Sequence, residues 1–222
     1  MTWRQTHVYI ANTASSAMSA EQLSSGHTLE RVVRAKLEKS VMTSDTFEKS
    51  IEGIKSVWGP LSTEMVAGCR RHLEDLLKAQ ATEAWLAALH KEAPANKELY
   101  RDPTHGFVLL AHTESAGLYR PPHDHGRGWV IYAMQQGEIE MGTYARIVDP
   151  DGSVRLVKRD STLVRPGQVQ VYLPGDIHDT RCMTGPALLF RFTERDLKKE
   201  DKEEHRVTRY VERDGVWATG EP

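Results

Sequence analysis

From Pro94 onward the chain is written as short apolar runs broken by Gly, Pro and Asp, and this pattern narrows its possible folds more than any other feature. Strands are expected at 106–113, 129–135, 138–147, 154–158, 162–164, 169–173, 187–193, 206–212 and 216–219. Asp149-Pro-Asp-Gly152 and Arg213-Asp-Gly215 read as hairpin turns, because Gly enters the positive-φ region without a steric cost. Gly137 is expected to end the strand before it. Many short strands at this spacing predict a β-sandwich or barrel.

Before Pro94 the periodicity is helical. Leu29, Val32, Val33, Leu37 and Val41 recur at spacings of three and four, which puts them on one helix face. Ser44 is placed to cap a second helix carrying Phe47, Ile51 and Ile54, which Gly59-Pro60 stops. Ser62 or Thr63 opens a third, with Val66, Cys69, Leu73, Leu76 and Leu77 inward, and a short piece follows around Trp85, Leu86 and Leu89. Residues 11–26, rich in Ala and Ser and without periodicity, read as an arm. The organisation expected is a helical region over 1–94 packed on a barrel over 95–222 that ends in a hairpin. The Lys- and Glu-dense run from Arg195 to His205 is expected to be a solvated connector.

The 222 residues suit one domain with an extension, and 39% apolar residues suffice for a core. Lys and Arg number 29 against 31 Asp and Glu, so no basic face points to nucleic acid. No signal-peptide pattern opens the sequence, and no stretch approaches the roughly 18 apolar residues of a membrane span. Two cysteines are too few for a disulfide framework or a thiolate zinc site, which makes a reducing cytoplasm the simplest address. A monomer and a homodimer are equally open.

The chemistry concentrates in Pro121-Pro-His-Asp-His-Gly126. Alternate residues of a strand share a face, so His123 and His125 are expected to converge on one point. His178, after the Pro174-Gly175 turn, is a third candidate from a later strand. Imidazole is a common neutral ligand for first-row metals, and three of them would leave coordination positions for substrate and oxygen. His7, His27, His72, His90, His105, His112 and His205 lack a ligand pattern and read as surface or core residues. Asp176 or a backbone carbonyl is expected on the second nitrogen of His178.

His123-Asp-His125 with Gly137, followed by Pro174-Gly-Asp-Ile-His178, resembles the two motifs of the cupin superfamily, whose fold is a double-stranded β-helix or jelly roll. The acidic ligand usual between the His pair and the Gly is missing from Gly126 to Gln136. That absence resembles the three-histidine thiol dioxygenase branch, which includes cysteine dioxygenase and mercaptopropionate dioxygenases. Leu99-Tyr-Arg-Asp-Pro103, Gly106-Phe-Val-Leu-Leu110, Trp129 and Pro186-Ala187 extend the likeness over roughly residues 95–193.

The resemblance implies an Fe(II) centre on His123, His125 and His178, and oxidation by O2 of a small anionic substrate, a thiol among the candidates. It implies a carboxylate-holding role for Lys97, which a solvated lysine would equally explain, and it puts Trp129 among the substrate-binding residues. The family's Ser, His and Tyr near the metal correspond here to Leu189, Arg191 and Thr193, and its cross-linking cysteine to Val130. Those losses leave Arg191 as a candidate clamp for an acidic group, provided the strand register turns it inward. Two other readings stay open: a three-His Lewis-acid isomerase, lyase or hydrolase, and a sensor that binds a small molecule without catalysis.

Overall fold

The computed structural model describes residues 45–220. The helix expected around Leu29–Val41 and the arm at 11–26 lie outside the described residues. Three helices open the described chain: α1 (Thr46–Val57), α2 (Thr63–Leu76) and α3 (Ala84–Glu92). The cap of α1 is Asp45 rather than Ser44, its carboxylate accepting from Glu48 N at 2.9 Å. Ser62 caps α2 by accepting from Met65 N at 3.2 Å. Glu83, before α3, accepts from Thr46 N at 2.8 Å and from the Trp85 indole at 2.9 Å. One carboxylate thus ties the start of α1 to the start of α3.

Nine strands follow: β1 (Lys97–Arg101), β2 (Val108–Glu114), β3 (Tyr119–His123), β4 (Val130–Val148), β5 (Val154–Val164), β6 (Val169–Tyr172), β7 (Ile177–Thr193), β8 (Tyr210–Arg213) and β9 (Val216–Thr219). The long strands β4 and β7 pair antiparallel from Val130↔Thr193 to Tyr144↔Ile177. At one end β2 and β6 extend this pair, and at the other β3 and β5 do. A bridge between His123 and Arg209 brings β3 back to the segment leading into β8. The protein is mainly β, a curled antiparallel jelly-roll sheet with helices ahead of it.

Alternation along β7 decides which side chains enter the barrel. Leu188, Phe190 and Phe192 pack with Leu109, Ala111, Ile131 and Ala133 against Ile54, Leu73, Leu76, Leu86 and Leu89 of the helices. The intervening residues must face the other way. Leu189 therefore joins Val130, Tyr132, Met134 and Ile139 in the inner cluster, and Arg191 is turned inward with it. The apolar demand of the helix-facing layer fixes this register, since a one-residue slip would put Arg191 among the phenylalanines.

Several boundaries differ from expectation. Gly137 does not end a strand: it sits at φ 81° in a bulged stretch of β4, and a Cβ there would lie 2.7 Å from Thr184 O. The bulge bends the strand without ending it. The runs at 154–158 and 162–164 likewise form one strand, β5. β1, β3 and the first half of β7 carry Lys, Arg, Pro, His and Asp, so their strand character escapes a hydrophobic pattern.

The 195–205 run is not simply solvated. It coils into a short π-helical segment, Lys199–Glu203, and buries Glu200 at 2% exposure.

Candidate metal centre

His123 ends β3, and its register partner across the ladder is His178, the second residue of β7, so the two rings start side by side. His125 lies beyond the end of β3, in a turn and not on the strand as the alternation argument supposed. Asp124 makes that turn. Its carboxylate accepts from Gly126 N at 3.0 Å and Thr208 N at 2.8 Å, and its own N–H donates to Thr208 O at 3.1 Å. The chain is thereby folded back so that His125 rejoins His123 and His178 inside the barrel.

The three rings form a near-equilateral cluster with centroid separations of 5.3, 4.8 and 5.0 Å. One ligating nitrogen from each lies within 4.8 Å of the others, and among the described residues the group contains no carboxylate. His125 Nε2 and His178 Nε2 are 3.4 Å apart. Two imidazoles each about 2.1 Å from a shared ion, at a tetrahedral angle, stand about 3.4 Å apart. The donor set fits one divalent metal.

Burial, the neighbouring histidines and Arg191 push His125 and His178 well below the ordinary histidine range. Burial lowers His123 too, against an opposing hydrogen bond to Pro121. All three are therefore held as the neutral imidazoles that ligate.

The supporting shell is uneven. Pro121 O lies 2.8 Å from His123 Nδ1, which leaves Nε2 of that ring for a metal. His178 is instead held by stacking on Tyr172, with centroids 3.9 Å apart and planes at 27°. The Tyr132 hydroxyl lies 3.4 Å from His125 Nε2. The Nδ1 atoms of His125 and His178 have no hydrogen-bond partner among the described residues. Asp176 does not serve His178: it is exposed, and its carboxylate closes the preceding turn by accepting from Leu173 N at 2.7 Å. A local turn bond outcompeted the longer reach.

A cavity of about 570 Å³ opens beside the cluster, lined by His123 and His125 together with His112, Glu114, Tyr132, Leu189 and Arg191. Arg191 is the register partner of Tyr132, and its buried Nε has no hydrogen-bond partner among the described residues. Its charge reaches all three candidate ligands, lowering the pKa of each. Five cations and three carboxylates line the cavity, in a chain whose net charge is −2. The cavity is therefore more positive than the chain.

The remaining sequence candidates lie elsewhere. Lys97 is on β1 with its ammonium 2.6 Å from Glu92, outside the lining, although its neighbour Asn96 is part of it. Thr193 is buried and donates to Val108 O at 3.4 Å. Val130 belongs to the inner apolar cluster, and Trp129 packs on the helix side near Trp58. His112 and Glu114 were not singled out by sequence, yet both line the cavity. Their signal was the same alternation: Leu110 pairs with Arg191 and His112 with Leu189, which places β2's even-numbered residues on the inner face.

Glu200 supports the ligand turn from the connector. Its carboxylate accepts from Arg127 N at 3.1 Å and from the Arg195 guanidinium at 3.2 Å, and a Cβ on Gly126 would lie 2.6 Å from Oε2. Glu200→Ala is expected to lower stability by about 2 kcal/mol, because the partly exposed guanidinium groups of Arg195 and Arg206, 3.2 and 3.6 Å from Glu200, lose a buried partner. It is also expected to weaken metal retention about tenfold by loosening the His125 turn. Thermal unfolding and a metal-chelator competition measure the two effects. Metal affinity unchanged in a destabilised variant would assign Glu200 to the fold alone.

No family model matches the chain, and no curated protein matches it in sequence. Solved structures similar to it include KdgF from Halomonas sp., at 17% identity and TM-score 0.35, covering 44% of this chain and 74% of that one. The cupin domain of Schizosaccharomyces pombe Cnp3 is 13% identical with TM-score 0.36, covering 49% and 69%. An oxalate oxidase is 20% identical with TM-score 0.34, covering 45% and 50%. Fold and site together define a jelly-roll β protein with a three-imidazole cluster suited to a metal.

Proposed function

We propose that the protein is a non-haem iron(II)-dependent oxygenase that oxidises a small anionic substrate with O2, with a thiol-bearing acid as the leading substrate class. The observation that carries the reading is the pairing of three neutral imidazoles, without a carboxylate, with an inward guanidinium whose Nε has no partner. Three neutral ligands leave the charge of a divalent ion uncompensated, and Arg191 adds another positive charge to the same cavity. A substrate with two anionic groups neutralises both, one at the metal and one at Arg191. Iron bound there supplies the redox chemistry with O2, which no side chain of this cavity provides.

The chain's own part is positional. Arg191 holds the acidic group by charge-assisted hydrogen bonds, beside its register partner Tyr132. Leu189 and Ile139 keep part of the wall apolar, so that water is displaced when substrate enters. A volume of about 570 Å³ is in the range of small-molecule sites.

The test is oxygen consumption by protein loaded anaerobically with Fe(II), offered cysteine, 3-mercaptopropionate and small carboxylates lacking sulfur. Uptake with a thiol acid, abolished when zinc replaces iron, is the expected result. Turnover retained with zinc and without oxygen would make the metal a Lewis acid and overturn the oxygenase reading.

A further inference from the structure

The connector between β7 and β8 forms part of the cavity wall and is fastened on both flanks of the histidine cluster. Leu197 packs on the inner apolar cluster and lines the cavity together with Lys198, Asp201 and Lys202. On one flank the connector lies against the turn that carries His125. Arg127 N donates to Glu200 there, and the two glycines of the turn face the connector. A Cβ on Gly126 would meet Glu200 Oε2 at 2.6 Å, and one on Gly128 would meet Arg195 Cγ at 3.4 Å and Leu197 Cδ2 at 3.5 Å. On the other flank Asp201 accepts from both terminal nitrogens of Arg209 at 2.6 and 2.9 Å, and Arg209 forms the backbone bridge to His123.

We propose that the connector, residues 195–205, is a metal-responsive cover, whose docking tightens when the three histidines share an ion, so that metal loading completes the cavity for the substrate. The inference rests on the reading of the cluster as a metal centre and not on the oxygenase chemistry.

The connector's own hold is slight. Asp196 pairs with Arg101 of β1 at 2.9 Å, but beyond it Lys198, Lys199, Lys202 and Glu203 are exposed. The Lys199–Glu203 turn is wound as a π-helix, an uncommon form that recurs at functional sites. Docking therefore stands on Leu197, Glu200 and Asp201, and a segment held by so few contacts opens locally long before the fold does. Two of those three holds end on the segments that carry His123 and His125. An ion bound by both histidines fixes these segments relative to each other, and with them the seat of the connector. The coupling is reciprocal: whatever the docked connector adds to metal retention, the metal adds to docking.

Hydrogen–deuterium exchange of the unmutated full-length protein reads the docking directly, with and without zinc at a level that calorimetry shows to be saturating. Amides over 198–208, where Arg206 N donates to Glu200 O and Thr208 N to Asp124, are expected to exchange about tenfold more slowly with zinc. Those of the Asp149–Ser153 turn, which is closed by its own hydrogen bonds, should keep their rate.

Two substitutions separate coupling from charge. Asp201→Asn removes a negative charge near the cluster, whereas Arg209→Met removes a positive one that is felt at His123. Electrostatics alone would move zinc affinity in opposite directions in the two variants. Coupling through the connector predicts that both bind zinc about fivefold more weakly and lose most of the zinc-induced protection. Exchange over 198–208 that ignores zinc in the unmutated protein overturns the cover. So does affinity that falls in Asp201→Asn and rises in Arg209→Met with protection kept in both. A protein that binds no zinc would overturn the metal centre and the cover together, and the calorimetry identifies that failure on its own.

Discussion

His125→Gln is expected to abolish stable metal binding, raising the dissociation constant at least about a hundredfold while leaving the metal-free fold intact. The lower bound follows because losing a group that merely orients a ligand already costs 10–100-fold, and losing the ligand costs more. The fold survives because His125 contributes no apolar contact to the inner cluster, and the turn that carries it is held by Asp124 and Glu200. In wild type, metal at about a thousand times its dissociation constant stabilises by about 4 kcal/mol, or roughly 10 °C in Tm for a chain of this size. In the variant a hundredfold weaker constant leaves at most about 1.4 kcal/mol of that, so its Tm rise should be about a third of the wild-type rise or less. Calorimetry in the presence of zinc, against protein stripped with chelator, reads both quantities; a Tm rise equal to that of wild type would remove His125 from the centre.

Arg191→Ala is expected to lower kcat/KM for an acidic substrate by one to two orders of magnitude, from the roughly 1.5–3 kcal/mol of a charge-assisted hydrogen bond. Arg191→Lys should recover only part, since an ammonium lacks the planar fork. The stability change is expected to run the other way. A buried guanidinium Nε without a partner is a cost to the empty protein, so Arg191→Met should leave Tm unchanged or raise it. A residue serving the fold would show the reverse, lower Tm with activity kept. Steady-state kinetics beside thermal unfolding distinguishes the two.

The histidine cluster was legible in the sequence because its members sit in short local motifs: His-x-His, and a Pro-Gly turn three residues before a histidine. The inward register of Arg191 was legible only as a conditional, and what settled it is non-local. Phe190 and Phe192 have to meet helices more than 90 residues earlier in the chain. β3 was missed because Tyr-Arg-Pro-Pro-His has no apolar alternation; its pairing with β7 and the bridge from His123 to Arg209 hold it in place.

His112 and Glu114 were passed over for a related reason. A buried polar residue in a strand looks like any other until the opposite strand shows what it faces. Lys97 lies outside the cavity lining, paired with Glu92, because counting back from Phe107 fixes a position along the chain but not a side-chain direction. The connector's role was hidden by composition, since a run dense in Lys and Glu gives no sign that Glu200 alone is buried.

The claim on which the whole account stands is that three imidazoles, and no carboxylate, hold one metal. Cobalt(II)-substituted protein tests it most directly by proton NMR in water. Each histidine ligating through Nε2 contributes one strongly shifted N–H resonance that disappears in deuterium oxide. The account predicts a titration that saturates at one cobalt per chain with three such resonances, assigned by their loss in His123→Gln, His125→Gln and His178→Gln respectively. Two resonances or fewer at saturation, or a spectrum indifferent to these substitutions, would contradict it.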